Sequence, residues 1–178
     1  EYAGEAIRAL EIEARLTLCN MATEFSAVSG LIAADDKTFD YLAGRRFAPK
    51  AAEWDAALTD WRALHSDDDA TFDSDLSVDI ADLGPMITWG TSPQHAIPVS
   101  GHVPTLEHSG TTRESYDRAL AYMGLTPGVA LADLPIDAAF IGSCTNSRIS
   151  DLRRAAAIVR GRRVANGVKA ICVPGSMS

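Results

Sequence analysis

Cysteine, positive charge and long apolar runs are all scarce in this sequence of 178 residues. Cys19, Cys144 and Cys172 are far apart and odd in number, unlike the disulfide framework of a small secreted domain, so a reducing cytoplasm is the expected compartment. Lys and Arg number 16 against 24 Asp and Glu, a formal net charge of −8. That deficit argues against a nucleic-acid or anionic-membrane surface, either of which needs a basic footprint. Small anionic substrates are not excluded, because net charge says nothing of one local pocket. No run approaches the roughly 18 apolar residues of a membrane span, and no basic segment leads into an apolar stretch at the N-terminus, so the chain reads as soluble and without a signal peptide. Internal repeats and low-complexity tracts are missing too. So is an initiator Met: Glu1 enters directly into a helix-like segment, and the chain stops in the turn Pro174-Gly175-Ser176-Met177-Ser178. The expectation is an internal piece of a longer protein.

What is present is an apolar fraction of 47%. A chain of this size buries roughly two-thirds of the surface its unfolded state exposes, enough for a core without covalent staples, in one large domain or two small ones. The first third reads as helical. Residues 1–14 are rich in Ala, Leu, Ile and Glu, and Leu18, Met21, Phe25, Val28 and Ile32 recur at the spacing of one buried helix face, with Gly30 ending the regular helix. Beside them Glu13, Thr17, Asn20 and Glu24 line up as a polar face. Residues 35–42 predict a short helix, and Trp54, Leu58, Trp61 and Leu64 a buried stripe within a helix over 51–65. Ser66-Asp67-Asp68-Asp69 reads as a solvated turn, Phe72 to Ile80 alternates like a half-exposed strand, and the Pro-, Gly- and Ser-rich stretch 84–110 reads as a linker.

The last third changes pattern: a helix over 114–123 closed by Gly124, a strand over 136–141, a helix over 151–160 and a strand over 169–173. Strand, helix and strand in so short a span make a βαβ unit with parallel strands. Leu152, Ala155, Ala156 and Val159 would face the sheet, with Ser150 as N-cap and Gly161 as stop. Residues 1–92 thus form a helix-rich α/β part carrying Asn20 and Glu24, and residues 93–178 a βαβ part carrying Cys144.

In open parallel sheets ligands gather at the carboxyl ends of the strands. The segment there is Gly142-Ser143-Cys144-Thr145-Asn146-Ser147, followed by a helix whose amino end favours a thiolate. Cys144 can be a structural thiol, a nucleophile, or a metal or iron–sulfur ligand that needs further soft ligands. Cys172, between Ile171 and Val173, reads as core, Cys19 as ordinary core, and His65, His95, His102 and His108 as loop or surface imidazoles. Asn20 and Glu24, one helical turn apart, present an amide and a carboxylate together, suited to a substrate hydroxyl or a metal-bound water.

The run Phe140-Ile141-Gly142-Ser143-Cys144-Thr145-Asn146-Ser147-Arg148, followed by Asp151-Leu152-Arg153, resembles the first cluster-cysteine signature of the aconitase family. Arg15-Leu16-Thr17-Leu18-Cys19-Asn20-Met21, with Glu24 and then Asp35, resembles that family's N-M-x-x-E element. Thr88-Trp89-Gly90-Thr91-Ser92-Pro93, Trp54-Asp55 and Val173-Pro174-Gly175-Ser176 are similar to the large subunit of the family's isopropylmalate-isomerising branch. The resemblance covers essentially the whole chain but only a middle section of that subunit. It implies α/β/α layers of aconitase type with parallel βαβ units. It also implies a hydro-lyase that converts 2-isopropylmalate to 3-isopropylmalate through a dehydrated intermediate, in leucine biosynthesis. Related dehydratases acting on homoaconitate or a methylmalate are the alternative within the family, and a non-catalytic structural domain the alternative outside it. In such enzymes three Cys hold a [4Fe–4S] cluster whose open iron polarises the substrate's hydroxyl and carboxylate. Cys144 matches the first of those ligands, Asn20 a residue beside cluster and substrate, and Glu24 one that contacts the hydroxyl or water. The remaining ligands, a Cys-x-x-Cys pair, fall downstream of this chain, and the catalytic serine belongs to a separate small subunit. With one thiolate of three, the 178 residues alone are expected to be iron-free and inactive. Two departures stand out: Phe25-Ser26 replaces small residues such as Ala-Gly, and Ala33-Ala34-Asp35 replaces Ala-Pro-Asp.

Overall fold

The computed structural model describes residues 1–176; Met177 and Ser178, the end of the expected carboxyl-terminal turn, lie outside them. Its helices are α1 (Glu5–Ala9), α2 (Ile12–Met21), α3 (Asp36–Leu42), α4 (Ala52–Arg62), α5 (Arg113–Met123) and α6 (Ile149–Val159). Its strands are β1 (Met86–Thr88), β2 (Ala96–Pro98), β3 (Ala138–Ile141) and β4 (Lys169–Cys172). Contacts group the chain into two compact units, one made of Glu1–Asp73 with the stretch that begins at Ala138, the other of Ser74–Asp137. The boundary expected between residues 92 and 93 falls inside the second unit, because the β1–β2 hairpin spans it. Among the described residues no helix is long and apolar enough to cross a membrane.

In the first unit the expected helix over 1–14 is broken at Leu10, and the cause is cationic side chains from the next two helices. Arg15 donates to the carbonyls of Leu10 (3.1 Å) and Arg8 (3.0 Å), and Lys37 to that of Ala9 (2.7 Å). The last carbonyls of α1 therefore need no further helical turn to satisfy them. Asp35 caps α3 as the capping pattern requires: its carboxylate accepts from the Thr38 N–H at 3.2 Å, and its own N–H donates to the Thr38 hydroxyl at 3.4 Å. Trp61 of α4 stacks on Phe39 at 6.2 Å and meets Trp54 edge-on at 5.7 Å, while Leu64 lies beyond the helix end and is exposed.

The expected apolar stripe through residue 32 does not form. α2 ends at Met21, a short 3-10 turn covers Ala22–Phe25, and Ser26 adopts the left-handed region at φ 70°. The chain then turns back onto α2, so close that a Cβ at Gly30 would lie 2.8 Å from the Cys19 Cα. Phe25 and Val28 are left 67% and 100% exposed. Ser26→Gly is expected to stabilise the fold by about 0.5 kcal/mol: left-handed backbone costs an L-residue roughly 1–2 kcal/mol, and the greater freedom of unfolded glycine cancels roughly 0.5–1 kcal/mol of the gain. A denaturant midpoint that does not rise in the variant refutes this.

β3 and β4 pair in parallel from Ala138↔Lys169 to Ile141↔Cys172, with α6 as the crossover, as expected of a βαβ unit. Gly161 is left-handed at φ 71°, ending the α6 segment, whose N-cap is Arg148 rather than Ser150. Every residue of both strands is exposed, and so is Cys172, which corrects its expected core position. A parallel pair is ordinarily covered on both faces; here, among the described residues, only two strands stand together.

The second unit overturns the linker expected over 84–110. Trp89 and Val103 are each 1% exposed, and Trp89 packs with Tyr116 and Ala119 of α5. The Tyr116 hydroxyl donates to the Pro104 carbonyl at 2.9 Å. Pro and Gly mark turns as readily as linkers, and here they shape a hairpin that carries the core. Phe72 to Ile80 forms no strand: without a partner its alternation leaves Leu76 and Val78 83% and 66% exposed.

Candidate functional site

The loop from Gly142 to Arg148 connects β3 to α6, at the carboxyl end of the parallel strands. Its shape comes from short-range bonds. The Ser143 hydroxyl accepts from the N–H groups of Asn146 (2.8 Å) and Thr145 (3.3 Å), and the Arg148 N–H donates to the Asp151 carboxylate at 3.1 Å. From the other side the Gly175 N–H donates to the Ser147 carbonyl at 2.9 Å. A Cβ at position 175 would lie 3.2 Å from the Asn146 carbonyl, a tight contact, so a larger residue there would push the Pro174-Gly175 turn off the loop by a few tenths of an ångström. Cys144 is exposed. It opens onto a cleft of about 700 Å³ whose other walls include Glu13, Tyr41, Arg45, Asn146 and Arg148.

The expected polar face of α2 divides in two. Glu13 lines the cleft, and the Thr17 hydroxyl donates to the Asn146 side-chain oxygen at 2.7 Å, tying α2 to the Cys144 loop. Asn20 and Glu24 are exposed and are not among the residues lining the cleft. Glu24 sits in the 3-10 turn, where each residue advances roughly 120° instead of 100°, so its phase relative to Asn20 departs from that of a continuous α-helix.

Sequence reasoning missed Tyr41 and Arg45 as cleft residues, and took in Ser147 and Arg148 only as part of the loop motif. The Arg45 guanidinium carbon lies 3.7 Å from the centre of the Tyr41 ring, which holds a cation at the cleft wall. The pair Arg45-Arg46 in an acidic chain was the available signal. Ser147 is left-handed at φ 68° and 4% exposed; its hydroxyl and the Nε of Arg148 are buried without a hydrogen-bond partner. Nothing in the sequence announces such strain or such orphaned groups, which concentrate where ligands bind. With Arg45 and Arg148 against Glu13, the cleft is a locally cationic place in a chain of net charge −8. Guanidinium groups suit carboxylate ligands through paired N–H donors.

Iron–sulfur clusters are held mainly by three or four thiolates. Cys144 fits one such position, being an accessible thiol at a shaped loop. Among the described residues no group of three His, Cys, Asp or Glu could hold a metal ion, so the other ligands are not supplied there.

The family profile described as the aconitase family (aconitate hydratase) matches residues 1–178. The chain belongs to the aconitase family. Its α/β character, with helices and small parallel and antiparallel sheets, accords with that membership. A protein of Cupriavidus necator named 3-isopropylmalate dehydratase large subunit is 60% identical over 178 residues, an alignment covering 99% of this chain and 67% of the relative. A protein of Roseiflexus castenholzii with the same name is 52% identical over 178 residues, covering 99% of this chain and 38% of the relative. The chain therefore spans only part of the length of these aconitase-family relatives.

Proposed function

We propose that this chain is part of the large subunit of an aconitase-family hydro-lyase that isomerises 2-isopropylmalate to 3-isopropylmalate, in leucine biosynthesis, and that Cys144 is one of three thiolates for a [4Fe–4S] cluster. The single observation that carries the reading is the placement of Cys144: an exposed thiol, on a loop bonded to α2 through Thr17, at the wall of a cleft lined by Arg45 and Arg148. Identity of 60% to a protein named for that activity supports the substrate.

When bound, the cluster supplies Lewis acidity that stabilises hydroxide as it leaves. The chain's own residues bind and orient. Cys144 contributes a sulfur ligand. Arg45 and Arg148 attract the carboxylates of a hydroxy-dicarboxylate, and Asn20 and Glu24, outside the cleft walls but on the chain that continues from the Thr17 contact, carry the amide and carboxylate assigned to the substrate hydroxyl. The serine that completes the chemistry belongs to a small partner subunit, a partner that the words "large subunit" in the relatives' names support.

Anaerobic treatment with iron and sulfide, followed by iron and acid-labile sulfide analysis, tests the ligand assignment. The full-length polypeptide is expected to retain about four iron atoms per chain, and the 178 residues alone none in stoichiometric amount. A stoichiometric cluster on the 178 residues overturns the role of Cys144 as one ligand of three, and an iron-free full-length polypeptide overturns the function.

A further inference from the structure

The second unit holds an imidazole that cluster chemistry does not use. β1 and β2 are joined by the loop Trp89–His95, in which Pro93–His95 forms a 3-10 turn closed by the His95 N–H donating to the Ser92 carbonyl at 2.9 Å. The His95 ring lies against Trp89, centroids 4.4 Å apart, and the residue is 3% exposed, not the surface imidazole expected of it. Neither ring nitrogen has a hydrogen-bond partner. The place is shaped for this ring, since a Cβ at Gly90 would lie 2.1 Å from His95 Nδ1. Buried polar groups are rarely left unpaired, and those that are call for a ligand or an ordered water.

His95 lines a cleft of about 390 Å³ whose other walls include Thr91, Ser92, Ser115, Arg118 and Tyr122. No lining residue is a carboxylate, and the only fixed charge is the Arg118 guanidinium, which forms no ion pair among the described residues. Guanidinium, imidazole and hydroxyl all donate hydrogen bonds. Such a set repels a divalent cation and complements the oxygens of an anion.

We infer that this cleft is a binding site for a small oxyanion, a carboxylate or a phosphate, held by Arg118, His95 and the hydroxyls of Ser92 and Ser115. The site lies wholly within the second unit and is independent of the cluster reading.

The test follows the His95 ring nitrogens by NMR in the whole protein labelled with 15N-histidine, titrated with inorganic phosphate and, separately, with malonate. Both wild type and Arg118→Gln are measured; Arg118 is exposed, so its replacement leaves the fold intact. The expected result is a saturable shift of the His95 resonances, with the tighter anion naming the group recognised, and a weakening of about tenfold or more in Arg118→Gln, the loss of a charge-assisted donor pair. Gly90→Ala, verified as folded by circular dichroism, is expected to lose the saturation because the ring can no longer occupy its place. Absence of saturation with both anions, the result if only water pairs His95, overturns the site, as does a weakening below tenfold in Arg118→Gln.

Discussion

Cys144→Ser in the full-length polypeptide is expected to abolish cluster retention and to lower turnover by at least about a thousandfold. Metal ions contribute several kcal/mol of transition-state stabilisation, and each 1.36 kcal/mol is about tenfold in rate. A serine hydroxyl does not ionise near neutrality and is a hard donor, whereas iron–sulfur centres select soft thiolates. The fold is not expected to suffer. Cys144 is exposed, and the bonds that shape its loop run through Ser143, Asn146, Ser147 and Gly175 rather than through its sulfur. Cys172→Ser is the control: also exposed, but on β4 and not among the residues lining the cleft, it should leave iron content unchanged. The measurement is iron per chain and turnover for both variants, beside their circular dichroism. Full iron content and full activity in Cys144→Ser would falsify the assignment.

Arg15→Met is expected to destabilise the first unit by about 2–4 kcal/mol. Arg15 is 4% exposed, and its guanidinium makes an ion pair with Asp35 at 2.7 Å besides its two bonds to the carbonyls that end α1. Breaking one partner of a fully buried pair costs roughly 3–5 kcal/mol. The Asp35 side chain is 35% exposed, so water screens part of that loss and the lower figure applies. The same pair sets an acid limit. The hydrogen bond from the Arg15 guanidinium holds the Asp35 carboxyl below its ordinary 3.8; burial opposes this, and the N–H of Thr38 adds to it. A carboxylate with a depressed folded-state value contributes stability above its unfolded value, and that contribution disappears as pH falls through the folded one. Wild-type stability should therefore decline below about pH 4 more steeply than that of Arg15→Met, and the difference between the two should narrow. Denaturant midpoints at near-neutral and acidic pH read this directly, and a gap that stays constant with pH contradicts the ion-pair account.

Much of the helical content was legible because its causes are local. Asp35 announces α3 through a capping pattern read within four residues, and the left-handed Gly124 marks where α5 stops. The βαβ unit followed from two short apolar runs around an Ala-rich helix, and Cys144 from its place after a strand. The failures were of one kind. Phe25 and Val28 continue a helical spacing perfectly well, yet no helix passes Met21. Trp89 sits among Gly and Pro residues that read as a linker, yet it is the centre of a core. His95 carries nothing in its neighbourhood that distinguishes it from an exposed imidazole. Tyr41 and Arg45 reach the cleft from the end of α3, a hundred residues from Cys144 in sequence.

The order of residues by itself determined the family, the α/β class, the limits of α3 and α5, and the thiol that faces the cleft, since these depend on motifs and on bonds spanning a few residues. Tertiary structure alone decided where α1 breaks, which half of the α2 polar face meets the Cys144 loop, and which imidazole is buried without a partner. Those outcomes hinge on groups brought together from separate parts of the chain, as the Thr17 hydroxyl is against Asn146 and the Lys37 ammonium against the Ala9 carbonyl. Close approach of that sort is a property of packed volume, which no spacing along a sequence encodes.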